Sequence, residues 1–326
     1  GYWGPNLVRN FMASSDAQIV SVCDRESTRL EKVESLYPAV RITTRSEDLI
    51  SDAEVDALVI APPVASHYDL AMAALAAGKH VFVEKPITVT SEQACKLIDE
   101  AARRKLTLLV DHTFVYTGAV RKMREITKTS AFGKLLYYDS TRVNLGLFQH
   151  DVNVLWDLAV HDLTIMSYLI DDKPVAVSAT GYSHIKDQPE NMAFLTVFFP
   201  GDLIAHINVN WLSPVKIRQT LVGGSKQMIV FDDVEKSEKL KIYDSGITVT
   251  QTPEDIHNLL ISYRTGDLWS PKLPDSEALA VEVEHFVACI KGEEKPLTGG
   301  EQGLDVVRIL EAANISMTSR GTPVDL

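Results

Sequence analysis

Residues 79–86 read KHVFVEKP, an apolar run through Val81, Phe82 and Val83 that stops on two opposite charges and a proline, Glu84, Lys85 and Pro86. A strand that is apolar at successive positions, rather than at alternate ones, is covered on both faces, as interior strands of parallel sheets are. The same character recurs on either side, in AQIVSVCD (17–24), VDALVIAPP (55–63) and LTLLVDHTF (106–114). Amphipathic runs separate these stretches: RLEKVESLY (29–37), HYDLAMAALAAG (67–78) and SEQACKLIDEAARRK (91–105). Ser66 is placed to cap the second of these helices and Gly78 to end it. Thr90 and Gln93 have the spacing of a capping box for the third. Strands alternating with helices predict a doubly wound parallel sheet of the nucleotide-binding kind.

The chain opens with GYWGPNLVRNF (1–11). Gly1 and Gly4 fit the last two glycines of a G-x-G-x-x-G phosphate loop, with Tyr2 and Trp3 between them. Pro5 suits a first helical turn whose free N–H groups would face a pyrophosphate. Asp24 ends the next strand twenty positions after Gly4. There a carboxylate would hold the ribose hydroxyls of NAD and repel the added phosphate of NADP. Arg25 beside it leaves NADP open as an alternative. The strand that precedes such a loop is expected from residues upstream of Gly1.

Length and composition set outer limits. The 326 residues suggest two domains, and 45% hydrophobic with 23% charged residues is a globular composition. No run is long and apolar enough to predict a membrane span. A net charge of -12 argues against a nucleic-acid partner. Cys23, Cys95 and Cys289 are scattered, without metal-ligand spacing, so no disulfide framework or metal site is expected and a cytoplasmic setting is. The second half reads as strands at 134–146, 176–185, 192–213, 217–233 and 239–244, then helices near 276–291 and 300–319. The Pro200-Gly201-Asp202 turn indicates a hairpin, hence a largely antiparallel sheet. In NVLWDLAVHDLTIMSYL (153–169), Asp157 and His161 are four apart on one helix face, and Asp162 reads as a solvated neighbour.

With GYWGPN, APPVASHYDLAMAAL, AAGKHVFVEKP and WDLAVHDL in this order, the chain resembles the Gfo/Idh/MocA family over essentially its whole length. The resemblance implies an N-terminal Rossmann domain, taken as residues 1–117, and a C-terminal α+β domain with a large open sheet, taken as 118–326. It implies NAD(P)-linked oxidation or reduction of a sugar or cyclitol hydroxyl and a cis bond before Pro86. A lysine past the end of a parallel strand stands at the ligand crevice. There Lys85 would stabilise the changing charge on the reacting oxygen, with Glu84 orienting it. His161 would exchange the hydroxyl proton and Asp157 would position ring or sugar. The division of acid–base labour between Lys85 and His161 stays open. Pro62 and Pro63 would shape the backbone at the nicotinamide ribose. His67 is either their neighbour or a helix-start residue, and His112 either lines the crevice or is structural. Relatives often have glycine where Asp111 stands.

Many relatives carry Gly-Gly shortly before the aspartate, where this chain has QHDVNVLWD (149–157). That variant resembles the branch acting on nucleotide-linked amino sugars or their uronates, typified by UDP-N-acetylglucosaminuronate 3-dehydrogenases. The expected substrate is therefore a nucleotide-linked hexose, oxidised at C3. The alternatives are a free-sugar or inositol dehydrogenase and a non-catalytic NAD- or sugar-sensing member. Lys216 with Arg218, and Arg142 with Asn144, are cation-bearing pairs that would receive a diphosphate or carboxylate or simply be exposed sheet charges. An open sheet needs a cover, and a second copy would supply it, giving a homodimer or homotetramer.

Overall fold

The computed structural model describes residues 3–146, 152–244, 246–248, 262–264 and 266–326. The chain divides into two compact units, residues 1–116 with 276–308, and residues 117–275 with 309–326. The stretch 276–308, expected in the second domain, returns to the first.

In the first unit, α1 (Gly4–Ala13), α2 (Ser27–Leu36), α3 (Ser46–Ser51), α4 (His67–Ala76) and α5 (Ser91–Arg104) alternate with five short strands. Strands β1 (Ser21–Cys23) and β2 (Arg41–Thr43) form one parallel pair. A second parallel sheet has the order β3 (Ala57–Ile60), β4 (His80–Glu84), β5 (Leu108–Asp111). The register of β4 on β5 sets Val83 beside Val110 and Glu84 beside Asp111, so two acids end side by side at the carboxyl edge. Val81, Phe82 and Val83 are all fully buried, as their continuous apolar character requires.

The returning segment supplies α8 (Ala278–Lys291) and the start of α9 (Gly300–Thr318). Leu279, Val283 and Phe286 join Leu7, Phe11, Phe82 and Leu109 in one core. Phe82 meets Phe286 edge-on at 5.4 Å between centroids, and Phe11 meets Phe82 at 5.9 Å. Such aromatic contacts add about 0.5–1.5 kcal/mol each beyond burial. Without α8 this aromatic cluster would lie open, which is why the segment belongs here. At α9, a Cβ on Gly303 would come within 2.9 Å of the Val110 side chain, so glycine permits the close approach of helix to strand.

Local capping follows the sequence in part. The Thr90 hydroxyl accepts from the Gln93 N–H at 3.2 Å, half of the expected box. Ser66 does not cap α4; it ends the short 3-10 turn Val64–Ser66 in helical backbone geometry.

The second unit is built on a nine-stranded sheet. Its strands run β15 (Leu268–Trp269), β12 (Leu240–Tyr243), β11 (Met228–Asp232), β10 (Leu212–Gly224), β6 (Leu135–Leu145), β9 (Ile204–Asn210), β8 (Met192–Phe198), β7 (Ala176–Tyr182) and β16 (Val324–Asp325). Every pairing is antiparallel except β6 with β9. A separate antiparallel pair joins β13 (Gly246–Thr248) to β14 (Ser262–Arg264). The hairpin predicted at Pro200–Asp202 joins β8 to β9, with Gly201 at φ +78°. Alternation along the strands is clean: Ala193, Leu195 and Val197 are buried, as are Ala205, Ile207 and Val209, while their neighbours are partly open. Helices α6 (Gly118–Thr127) and α7 (Val160–Leu169) belong to this unit. No helix among the described residues is long and apolar enough to cross a membrane.

Candidate active site

The candidate site residues fall into two groups, one in each unit. In the first unit, Trp3 and Gly4 open α1, with Pro5 in its first turn and no side chain capping its N-terminus. A Cβ on Gly4 would meet nothing within 4 Å among the described residues. An uncapped helix N-terminus suits the pyrophosphate of a dinucleotide. Gly1 and Tyr2 lie outside the described residues. Asp24 directly follows β1, its carboxylate accepting from the Glu26 N–H at 3.0 Å and lying 3.5 Å from Arg29. Arg25 is exposed beside it. These residues fit an adenine ribose held through its hydroxyls.

Pro62 and Pro63 follow β3 and lead into the 3-10 turn. His67 is 1% exposed, with its ring nitrogens 2.8 Å from the Pro86 carbonyl and 3.0 Å from the Pro62 carbonyl. Burial lowers its pKa while the two carbonyls oppose that shift. His67, the first residue of α4, therefore braces the Pro62 loop against the Lys85–Pro86 turn. The Lys85–Pro86 peptide is cis.

Behind that turn lies a feature the sequence did not disclose. Glu84, Asp111 and Glu282 bring three carboxyls together, the last from α8. Asp111 is 2% exposed and Glu282 is fully buried. Glu84 Oε1 and Glu282 Oε2 are sealed from solvent with no donor facing them. Burial, and next the charge of Asp111, hold both glutamates well above the usual carboxylate range; the Lys85 charge pulls Glu84 partly back. Asp111 accepts from the Trp3 indole at 3.1 Å and from the Thr113 hydroxyl. The Glu84 carboxylate accepts from the Lys85 backbone N–H at 3.2 Å, and Glu282 from that of His112 at 3.1 Å. His112 is itself buried, and burial together with the Lys85 charge pushes it down to about 3, which makes it a neutral part of the interior.

In the second unit, Asp157 lies in a π turn, Leu155–Ala159, running directly into α7. The Trp211 indole donates to the Asp157 carboxylate at 3.0 Å. Trp211 is buried, and its ring fits only because residue 146 is glycine: a Cβ there would come within 2.8 Å of it. His161 is half-buried one turn after Asp157. Single π turns inside helices are frequent at functional sites. Trp211 was not predicted, because nothing in the sequence ties a strand tryptophan to a carboxylate fifty-four residues earlier.

Two expectations are overturned here. Arg142 does not offer its cation to a substrate, and Asp162 is not solvated. Each is 2% exposed, and they form a bidentate pair, Nε to Oδ2 at 2.7 Å and Nη2 to Oδ1 at 3.2 Å. On β6, Tyr138, Ser140 and Arg142 point to the buried face. On α7, Asp162 lies one step round the helix from His161, and that step turns it inward to meet the arginine. Asn144 remains half-buried near the end of β6. Lys216 is exposed within an irregular stretch of β10, whereas Arg218 pairs with Asp233 at 3.2 Å.

A sequence model described as "Oxidoreductase family, NAD-binding Rossmann fold" (GFO_IDH_MocA) matches residues 1–112, and the GFO/IDH/MocA C-terminal domain matches residues 120–230. UDP-N-acetylglucosamine 3-dehydrogenase of Acidithiobacillus ferrooxidans is 27% identical over 264 residues, 80% of this chain and 77% of its own. Inositol 2-dehydrogenase of Rhizobium meliloti is 25% identical over 94% of this chain and 91% of its own. A solved structure of the Acidithiobacillus enzyme superposes with a TM-score of 0.82, covering 98% of this chain and 95% of the other at 24% identity.

Proposed function

The chain belongs to the Gfo/Idh/MocA family of NAD-binding oxidoreductases, and from that premise we propose that it oxidises the C3 hydroxyl of a nucleotide-linked hexose. The observation that carries this reading is the placement of Lys85 just past the carboxyl end of β4, in the unit that binds NAD. Open parallel sheets hold their ligands at that edge. The coenzyme would accept a hydride from the carbinol carbon. Lys85 would hydrogen-bond the reacting oxygen as its charge changes, and His161 would take the hydroxyl proton. Asp157, fixed by the Trp211 indole, would orient His161 or a neighbouring sugar hydroxyl. Asp24 favours NAD over NADP by charge, with Arg25 near enough to soften that preference. Asn144 and Lys216 are the remaining candidates for substrate contacts. Arg218 is a weaker one, being already paired with Asp233.

The substrate class is suggested by the Acidithiobacillus relative, and the inositol dehydrogenase relative supplies the second reading, a cyclitol or free sugar. The whole second unit is proposed to bind substrate and to pair with another copy through its open sheet face. A cytoplasmic setting accords with three free thiols. The test is a screen of UDP-sugars, free sugars and cyclitols with NAD, followed by NADH absorbance, on the wild type and Lys85→Ala. Turnover of a UDP-sugar that falls by orders of magnitude in Lys85→Ala, with NADH affinity nearly unchanged, is the expected result. Turnover only of cyclitols would favour the second reading. Normal turnover in Lys85→Ala would remove the lysine from the mechanism.

A further inference from the structure

The three carboxyls crowded behind Lys85 pose an electrostatic problem that shared protons would relieve. Two carboxylates in contact away from water repel strongly, and three do so more. Glu84 stands beside Asp111 in the β4–β5 register, and the pKa of each glutamate is raised by the Asp111 charge, so a proton on either glutamic acid could be donated to the aspartate. Their otherwise unpaired oxygens, Oε1 and Oε2, are the atoms left to carry those protons. A carboxylate has about four lone-pair sites. At Asp111 the Trp3 indole and the Thr113 hydroxyl supply two donors, and a proton on each glutamic acid would supply two more.

These donors come from separate elements. Trp3 stands at the start of α1, at the helix N-terminus proposed to face the pyrophosphate. Glu84 ends β4 and accepts from the backbone N–H of Lys85. Glu282 belongs to α8 and accepts from the backbone N–H of His112. We propose that Asp111 is a positioning residue that couples the loop opening α1, through Trp3, to the turn bearing Lys85, through Glu84. This deepens the reading of Lys85 and the α1 loop as coenzyme-site groups and rests on it. Asp111 acts from behind that site, by setting where two other elements stand.

Coupling predicts non-additivity. The dissociation constant of NADH is measured by fluorescence for the wild type, Trp3→Phe, Glu84→Gln and the double variant, and again for all of these in an Asp111→Asn background. Trp3→Phe keeps an aromatic ring and removes the indole N–H, and Glu84→Gln keeps shape while removing the acid. In the wild-type background the two changes should depart from additivity by threefold or more. In the Asp111→Asn background they should combine additively. A purely structural role would shift melting temperatures without moving that cycle. Additive effects in the wild-type background would overturn the proposal, and that half of the experiment stands whether or not Asp111→Asn folds. Non-additivity that persists undiminished in the Asp111→Asn background would overturn it too, since the coupling would then bypass the aspartate. A wild-type protein that binds no NADH would sink the coenzyme-site reading and this proposal with it, a result distinct from an additive cycle.

Discussion

Glu282 is an acid at the centre of an apolar helix face, between Leu279, Val283 and Phe286, and it is fully buried. Burial and the neighbouring Asp111 raise its folded-state pKa well above the ordinary 4.5. The sign of the linkage follows: the folded state binds a proton that the unfolded state has released. Its contribution to stability is therefore greatest below about pH 4.5 and is lost as pH rises toward the folded value. Each proton held only by the folded state costs about 1.4 kcal/mol per pH unit across that window. Glu282→Gln keeps the shape and removes the proton. The urea stability of this variant relative to wild type is expected to improve as pH is raised above about 4.5. A difference that stays flat over that range would show that Glu282 does not hold an extra proton. His112 works with the opposite sign. Held at about 3 against an ordinary 6.5, it loses stability as pH falls through that interval.

At the scale of elements, the join between β6 and α7 shows where reading a sequence stops. The helix at 153–169 was legible from its apolar spacing, and so was the strand at 134–146. What no local pattern could show is that Arg142 and Asp162, twenty residues apart, meet across that join with both charges out of water. Exposed charges are the rule on isolated strands and helices, so Asp162 read as solvated and Arg142 as either an exposed charge or a substrate contact. The π turn was invisible for a related reason, because Leu155–Ala159 has the composition of an ordinary helix and its geometry depends on what it packs against. Tyr138 adds to the same interior, its hydroxyl donating to the Asp162 carbonyl at 3.0 Å. Removing one member of a buried ion pair strands the other, at a cost of about 3–5 kcal/mol. Asp162→Ala is therefore expected to lose that much stability in urea unfolding. Arg142→Met combined with Asp162→Leu should lose far less, because no charge is left behind. Equal losses in the two proteins would mean that packing, rather than charge, holds this join.

At the scale of the whole molecule, the two sheets were legible to different depths. Continuous apolar strands announced the parallel sheet, because they report that both faces are covered, and the Pro200–Asp202 hairpin announced the antiparallel one. The return of residues 276–308 was not legible, since an amphipathic helix states that it covers something without stating what. Phe286 finds Phe11 and Phe82 only in three dimensions. The same logic bears on the nine-stranded sheet, whose proposed partner is a second copy. Phe194 and Ile204 are 41% and 44% exposed on the interior strands β8 and β9. The Phe194 ring stacks on His206 at 6.4 Å, and His206 lies 3.2 Å from Asp139 of β6. With a net charge of -12, two copies repel at long range, so any pairing must come from short-range apolar contact and should tighten as salt screens the repulsion. Phe194→Glu would bring a new carboxylate into each half of a symmetric contact, where like charges face one another. Sedimentation velocity is expected to give at least twice the chain mass for the wild type and a single chain for Phe194→Glu. NADH binding should survive in that variant, since residue 194 belongs to the unit that does not carry the coenzyme. A wild-type protein that sediments as one chain at both low and high salt would leave the open face to some other cover and refute the self-pairing.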